Sequence, residues 1–177
     1  MQEIIQKYIR KLQDAGLTEP EQTLLGFLDA DLVWNRRDAN TELFAKIFER
    51  ININSLLFAP AKEPYKSIID YLSETAGKTI SPEDCETRTF IHDIPVVSRL
   101  DPEMLLDSLQ TRKAVIVKNR GILTYGWVSP EQAYIIYSSV CFACIVKFFL
   151  DYLHLFLLTI LTNLFGCVRL CLISLNF

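Results

Sequence analysis

Two histidines, five cysteines and a few isolated basic and phenolic side chains are the groups in this chain best suited to chemistry. Proton transfer, nucleophilic attack and metal activation all need such groups at spacings that bring them together. His92 stands beside Asp93. Neighbours on an extended segment point to opposite faces, so they make a poor ligand pair, and a surface histidine is the simpler reading. His154 has Asp151 as its nearest acid and lies against an apolar stretch, where a core or interface histidine is expected. Cys141 and Cys144 have the C-x-x-C spacing of metal and redox sites, with Cys167 and Cys171 beyond them. They fall in an apolar helical segment without a Gly or Pro knuckle, which suits buried structural thiols. Tyr65 and Tyr125 are candidate proton donors for a cleft, although tyrosines at element ends more often serve packing. Asn119-Arg120-Gly121 is a turn that offers one amide and one guanidinium. No Ser/His/Asp set and no phosphate-binding loop is visible.

Composition narrows the classes further. The chain has 177 residues, half of them hydrophobic (50%) and 22% charged, which suits one domain with a real core plus an appendage. The net charge is -3 and no Lys/Arg-rich run stands out, so nucleic acid is not an expected partner. Residues 1–8 carry charges rather than an apolar run, so no secretory signal is expected. An odd number of cysteines without such a signal points to reduced thiols and a cytoplasmic location.

Elements that would position these groups can be read from periodicity. Ile4, Ile5, Tyr8, Ile9 and Leu12 predict an amphipathic helix over 2–15, with Gly16 closing it. Thr18 and Glu21 suggest a capping box for a short helix over 20–28. A polar turn around Trp34 follows over 29–38, then a helix over 40–50. Residues 53–58 read as a strand ended by Pro60, and 64–73 as a helix with Tyr65, Ile68, Ile69 and Leu72 inward. A polar connection over 77–88 leads to a strand over 90–97, where Pro95 suggests an edge or an end. Asp101-Pro102-Glu103 has the cap, proline and acid of a helix start. Strands over 114–117 and 122–126 flank the Asn119-Arg120-Gly121 turn. Ser129-Pro130-Glu131-Gln132 opens a helix reaching about residue 152.

Several of these segments carry a resemblance. Lys113-Ala114-Val115-Ile116-Val117-Lys118-Asn119-Arg120-Gly121-Ile122-Leu123-Thr124-Tyr125-Gly126, followed by Ser129-Pro130-Glu131-Gln132-Ala133-Tyr134, resembles the C-terminal signature of the class II aldolase/adducin family. That signature is an apolar strand, Asn-His-Gly, a strand ending in Gly, and a helix with Glu and Ala-Tyr near its start. Ile94-Pro95-Val96-Val97 looks like the family's Ile-Pro-Val-Val strand. Asn54-Ser55-Leu56-Leu57-Phe58-Ala59-Pro60, with Pro64-Tyr65 after it, looks like the strand that normally carries His-x-His. The resemblance is best over 51–152 and implies a compact α/β sandwich, a small, mainly antiparallel sheet flanked by helices.

In the family, the His-x-His pair and the histidine of Asn-His-Gly hold a divalent metal, commonly zinc, which acts as a Lewis acid in C–C cleavage. The matching positions here are Phe58, Pro60 and Arg120. Zinc needs nitrogen, sulfur or carboxylate donors. Phe and Pro have none, and Arg stays protonated and repels a dication. No metal cofactor is therefore expected. The resemblance also implies a Gly-Asn-x-Ser loop near the N-terminus for phosphorylated substrates, and this chain has none. Arg120 reads either as a guanidinium standing in for the metal and holding a small anion, or as a turn residue that is solvated or paired with a neighbouring acid. Asn119, Tyr65 and Tyr125 complete the candidate ligand-binding set.

Two functions follow. One is a divergent, non-catalytic domain, a pseudoenzyme acting as a binding or assembly module, as in adducin heads, with a homo-oligomer among its expected partners. The other is a metal-dependent aldehyde-lyase acting on a small sugar or sugar phosphate, with zinc or another divalent ion held elsewhere, for instance by His92 with Asp93 or Glu63. The domain is expected to end near residue 152. All 21 acidic residues and 17 of 18 Lys/Arg precede residue 153, and residues 153–177 keep only Arg169 as a charged side chain. Residues 155–173 are long enough to cross a bilayer. Three readings fit such a tail: a membrane anchor, a packed or interfacial helix, and an altered reading frame.

Overall fold

The computed structural model describes the backbone of residues 1–174 and the side chains of residues 1–160. Cys167, Cys171, Asn163 and Arg169 therefore lie outside the residues whose side chains are described.

Alternation of apolar side chains builds the centre of the molecule. Strand β1 spans Leu24–Leu28, β2 Leu32–Trp34, β3 Ser55–Ala59, β4 Thr79–Ile80, β5 Ile94–Val97, β6 Ala114–Val117 and β7 Gly121–Gly126. They form one sheet in the order β2-β1-β3-β7-β6-β5-β4. Only β5 and β6 run parallel; the other neighbours are antiparallel. Side chains of a strand alternate between faces. Thus Leu57, Ala59, Ile116 and Ile122 feed one core, and Leu56, Phe58, Val115, Leu123 and Tyr125 the other. Helices α1 (Gln2–Asp14), α3 (Tyr65–Thr75) and α6 (Pro130–Ser174) cover the first face with Ile5, Ile9, Leu12, Ile69, Leu72, Ile136 and Val140. Helices α2 (Thr41–Arg50) and α5 (Pro102–Thr111) cover the second with Phe44, Ile47, Leu105 and Leu109. Each such buried side chain contributes about 1.5–3 kcal/mol. The expected sandwich, a mainly antiparallel sheet between helices, is the fold observed.

Local chemistry explains most boundaries. Gly16 closes α1 at φ 66, with Leu17 N–H donating to the Leu12 carbonyl at 2.9 Å. Asp101 caps α5 by accepting from Glu103 N and Met104 N at 3.2 Å. At the start of α6, Gln132 Oε1 accepts from Val128 N at 2.9 Å.

Several boundaries differ from expectation. Residues 20–28 are a single 3-10 turn, Pro20–Gln22, followed by β1. The capping box does not form: the Thr18 hydroxyl meets that of Thr23 at 3.0 Å instead. Gly26 disfavours helix, and it lets the Trp34 ring lie on β1, where a Cβ would stand 2.6 Å from that ring. The polar turn around Trp34 is really β2, hairpin-paired with β1 at Leu28 and Leu32. The connection over 77–88 contains β4 and the start of a short helix α4, Cys85–Phe90, capped by Asp84. That helix takes Phe90 out of the following strand, which begins only at Ile94. Of the two positions expected for Pro95, the structure has the end and not the edge: it is the second residue of β5, and the two-residue β4 lies outside that strand.

Helix α6 does not stop near residue 152. Its inner half packs on β3 and β7 through Ala133 and Tyr137, and residues 149–160 are all exposed. The drop in charge at residue 153 thus falls inside one helix, close to where packing ends.

Candidate functional site

The turn between β6 and β7 is held against the end of β3 by backbone contact. Val117 pairs with Gly121, and Ala59 pairs with Ile122. Gly121 has φ 145, and a Cβ there would lie 2.4 Å from the Ala59 carbonyl oxygen and 2.8 Å from Pro60 N. Only glycine permits so close a pass. Asn119 takes φ 55, a left-handed value that asparagine tolerates, and the Arg120 N–H donates to the Val117 carbonyl at 3.0 Å. Sequence position and fold therefore set Arg120 beside Pro60, at the mouth of a narrow cleft between this turn and α3. The cleft has room for water-sized groups in about 20 Å³.

The cleft is polar at its rim and apolar at its base. Ile69 and Ile122, both in the first core, form the base. Lys66 and Asp70, one helical turn apart on α3, form an ion pair at 2.6 Å on the rim. The hydrogen bond that Lys66 Nζ donates to the Asp70 carboxylate is the chief cause holding the Lys66 ammonium above its ordinary pKa. Asn119 Nδ2 donates to Glu74 Oε1 at 3.2 Å, and Lys118 reaches Glu74 at 3.7 Å. Arg120 is exposed, and its guanidinium makes no ion pair among the described residues. Lys66, Asp70 and Glu74 were not among the residues singled out in the sequence. The Lys-x-x-x-Asp spacing on α3 was the available signal.

Other candidates do not converge here. Phe58 points to the opposite face of the sheet. It is 5% exposed, with its ring centroid 5.1 Å from that of Phe44. Strand alternation sends it there, since Leu57 and Ala59 face the first core, and Pro60 reaches the cleft only because β3 has ended at Ala59. Of the three positions matched to the family's histidines, Pro60 and Arg120 line this cleft and Phe58 does not. Tyr125 is also in the second core, 5.3 Å from the Trp127 ring, and burial pushes its phenol pKa up. Tyr65 packs on the first core at the start of α3. The two tyrosines therefore sit on opposite faces and cannot serve one substrate.

The possible metal donors are equally dispersed. His92 is exposed in a turn at φ 66, while Asp93 pairs with Arg112, whose Nε donates at 2.6 Å. Glu63 is engaged by Ser67, whose hydroxyl donates at 3.0 Å. Cys141 and Cys144 are fully buried free thiols, and burial pushes Cys144 up to about 12. A metal ligand must be a thiolate, so this environment opposes ligation. Among the described residues no three His, Cys, Asp or Glu side chains cluster as a metal site. The residues at the positions matched to histidines do not fit a metal either. Phe58 is a core residue, Pro60 has no donor and Arg120 is a cation. One buried group tightens the frame instead: the Tyr137 hydroxyl, deep in the core, donates to the Ala59 carbonyl at 3.3 Å. It fastens α6 to the strand end that carries Pro60.

Comparison with solved structures places this arrangement. The crystal structure of l-fuculose-1-phosphate aldolase from Thermus thermophilus superposes with a TM-score of 0.72 at 11% identity, over 86% of this chain and 94% of that one. YgbL from Escherichia coli, described as a putative aldolase/epimerase/decarboxylase, gives 0.68 at 15% identity, over 84% and 88% of the two chains. An aldolase II superfamily protein from Pseudomonas syringae gives 0.58 at 13% identity, over 82% and 75%. No family model and no curated protein matches the sequence. The agreement is therefore one of architecture: this chain has the class II aldolase fold.

Proposed function

We propose that this chain is a class II aldolase-like domain without metal-dependent lyase activity, working as a binding or assembly module. One observation carries the reading: the three positions matched to metal-binding histidines are a core phenylalanine, a strand-ending proline and an arginine. Lewis-acid polarisation of a carbonyl needs a cation held by neutral or anionic donors. Here the one ionised group of the three is itself a cation, which suits an anion.

Arg120, with Asn119 beside it, is the proposed contact for a small anionic ligand. The cleft is too narrow to enclose a sugar, so the ligand would sit on the rim. The reading also includes a cytoplasmic location, supported by the free thiols Cys85, Cys141 and Cys144, and self-association as a homo-oligomer.

The solved relatives supply the reaction to test. Purified chain, incubated with zinc and l-fuculose 1-phosphate, should release no aldehyde above the buffer rate. Zinc-dependent cleavage that a chelator abolishes would restore the aldehyde-lyase reading.

A further inference from the structure

Past Phe148, the described residues of α6 leave the domain's core. Residues 149–160 are exposed without interruption. Leu155, Phe156, Leu157 and Leu158 are each between 53% and 66% exposed. Successive helical residues are about 100° apart, so these four apolar side chains surround the axis. A soluble protein partner, or a second copy of this chain, would cover a stripe on one side. Only a surrounding apolar medium covers every side.

Length and end chemistry agree with that medium. Residues 155–173 rise about 28 Å as a helix, close to a hydrocarbon core of roughly 30 Å. The helical backbone runs to Ser174, so its hydrogen bonds are satisfied internally. The Thr159 hydroxyl donates to the Leu155 carbonyl at 2.8 Å and adds no orphaned donor. In sequence, Arg169 is the one charged residue of this segment, five positions from its helical end, within reach of headgroups for so long a side chain. At the other end the chemistry changes abruptly. Lys147 bridges Asp151 at 3.2 Å and Glu83 at 3.3 Å, and the exposed Tyr152 and His154 follow. An aromatic and charged collar at that level matches an interface layer.

We propose that residues 155–173 cross a lipid bilayer and tether the domain, with Lys147, Asp151, Tyr152 and His154 in the headgroup layer. The proposal is independent of whether the cleft binds an anion or has lost catalysis.

The test uses the full chain, synthesised in the presence of phosphatidylcholine vesicles and floated on a density gradient. The expected result is co-flotation that survives both high salt and alkaline carbonate. A paired variant, Leu161→Arg with Leu164→Arg, puts two charges mid-segment and should cut the floating fraction roughly a hundredfold or more. Its thermal unfolding in mild detergent should match that of the unaltered chain. Release by salt alone would mean surface adsorption, and a soluble, vesicle-free oligomer would mean a protein partner. Either result overturns the proposal, as does pelleting without flotation or equal flotation of the variant.

Discussion

Replacing Phe58 by histidine tests where this residue points. In the resemblance to class II aldolases, position 58 matches a ligand that faces the metal. In this fold it faces the core beneath α2, at 5% exposure and 5.1 Å from the Phe44 ring, between Leu24 and Leu123 on the neighbouring strands. Phe58→His forfeits most of the burial of a phenyl ring, about 1.5–3 kcal/mol. It weakens the aromatic pair, worth about 0.5–1.5 kcal/mol. It also buries imidazole nitrogens without partners, at about 1–3 kcal/mol. The sum is about 3–7 kcal/mol, a large part of the 5–15 kcal/mol typical of a whole domain. With a urea slope of about 2 kcal/mol per molar, the unfolding midpoint should fall by about 1.5 M or more. Phe58→Leu, which keeps the apolar contact, should cost about 1 kcal/mol. The measurement is urea unfolding in mild detergent, with and without zinc. A histidine variant within about 0.5 M of the parent midpoint, or one that zinc stabilises, would show that position 58 opens onto a cleft and that the reasoning is wrong.

Three further predictions follow from the same geometry. Gly121→Ala should destabilise by about 2 kcal/mol or more, since its Cβ meets the Ala59 carbonyl and its φ is positive; an unchanged melting temperature would contradict the close pass. Inorganic phosphate, if it binds the cleft, should bind Arg120→Ala more weakly by more than the roughly 1 kcal/mol of an exposed ion pair, and equal calorimetric affinities would remove Arg120 from the site. Burial raises Cys144 from 9.0 to about 12, so the folded chain holds its thiol proton where the unfolded chain has lost it. Stability should therefore be full below about pH 9 and fall as pH rises toward about 12; Cys144→Ala should flatten that fall, and an identical alkaline profile would count against it.

The chain announced its frame more clearly than its edges. The strands around residues 114–126 and the helix starts at Asp101 and Ser129 were legible because each rests on local chemistry, an apolar run, a cap or a proline. Strand β1 was not, because Leu-Leu-Gly-Phe-Leu becomes extended only by pairing with β3, thirty residues on, and by seating Trp34 on Gly26. The turn at Arg120 was legible in type, since Asn-Arg-Gly fixes the turn, whereas the close approach of Gly121 to Ala59 depends on the packing of β7 on β3. The direction of Phe58 depends on the register of β3 against β1 and β7, and a slip of one residue there would exchange the two faces of the sheet. The break at residue 153 marked a change of surroundings along one helix rather than the end of an element.

Metal content probes the central claim most directly. The full chain would be equilibrated with zinc, separated from free ion by gel filtration, and analysed for bound metal. The expected result is far less than one zinc per chain, with no change after chelation. One zinc per chain, removed by chelator and lodged beside Arg120 and Pro60, would contradict the reading of these positions as unable to hold a metal.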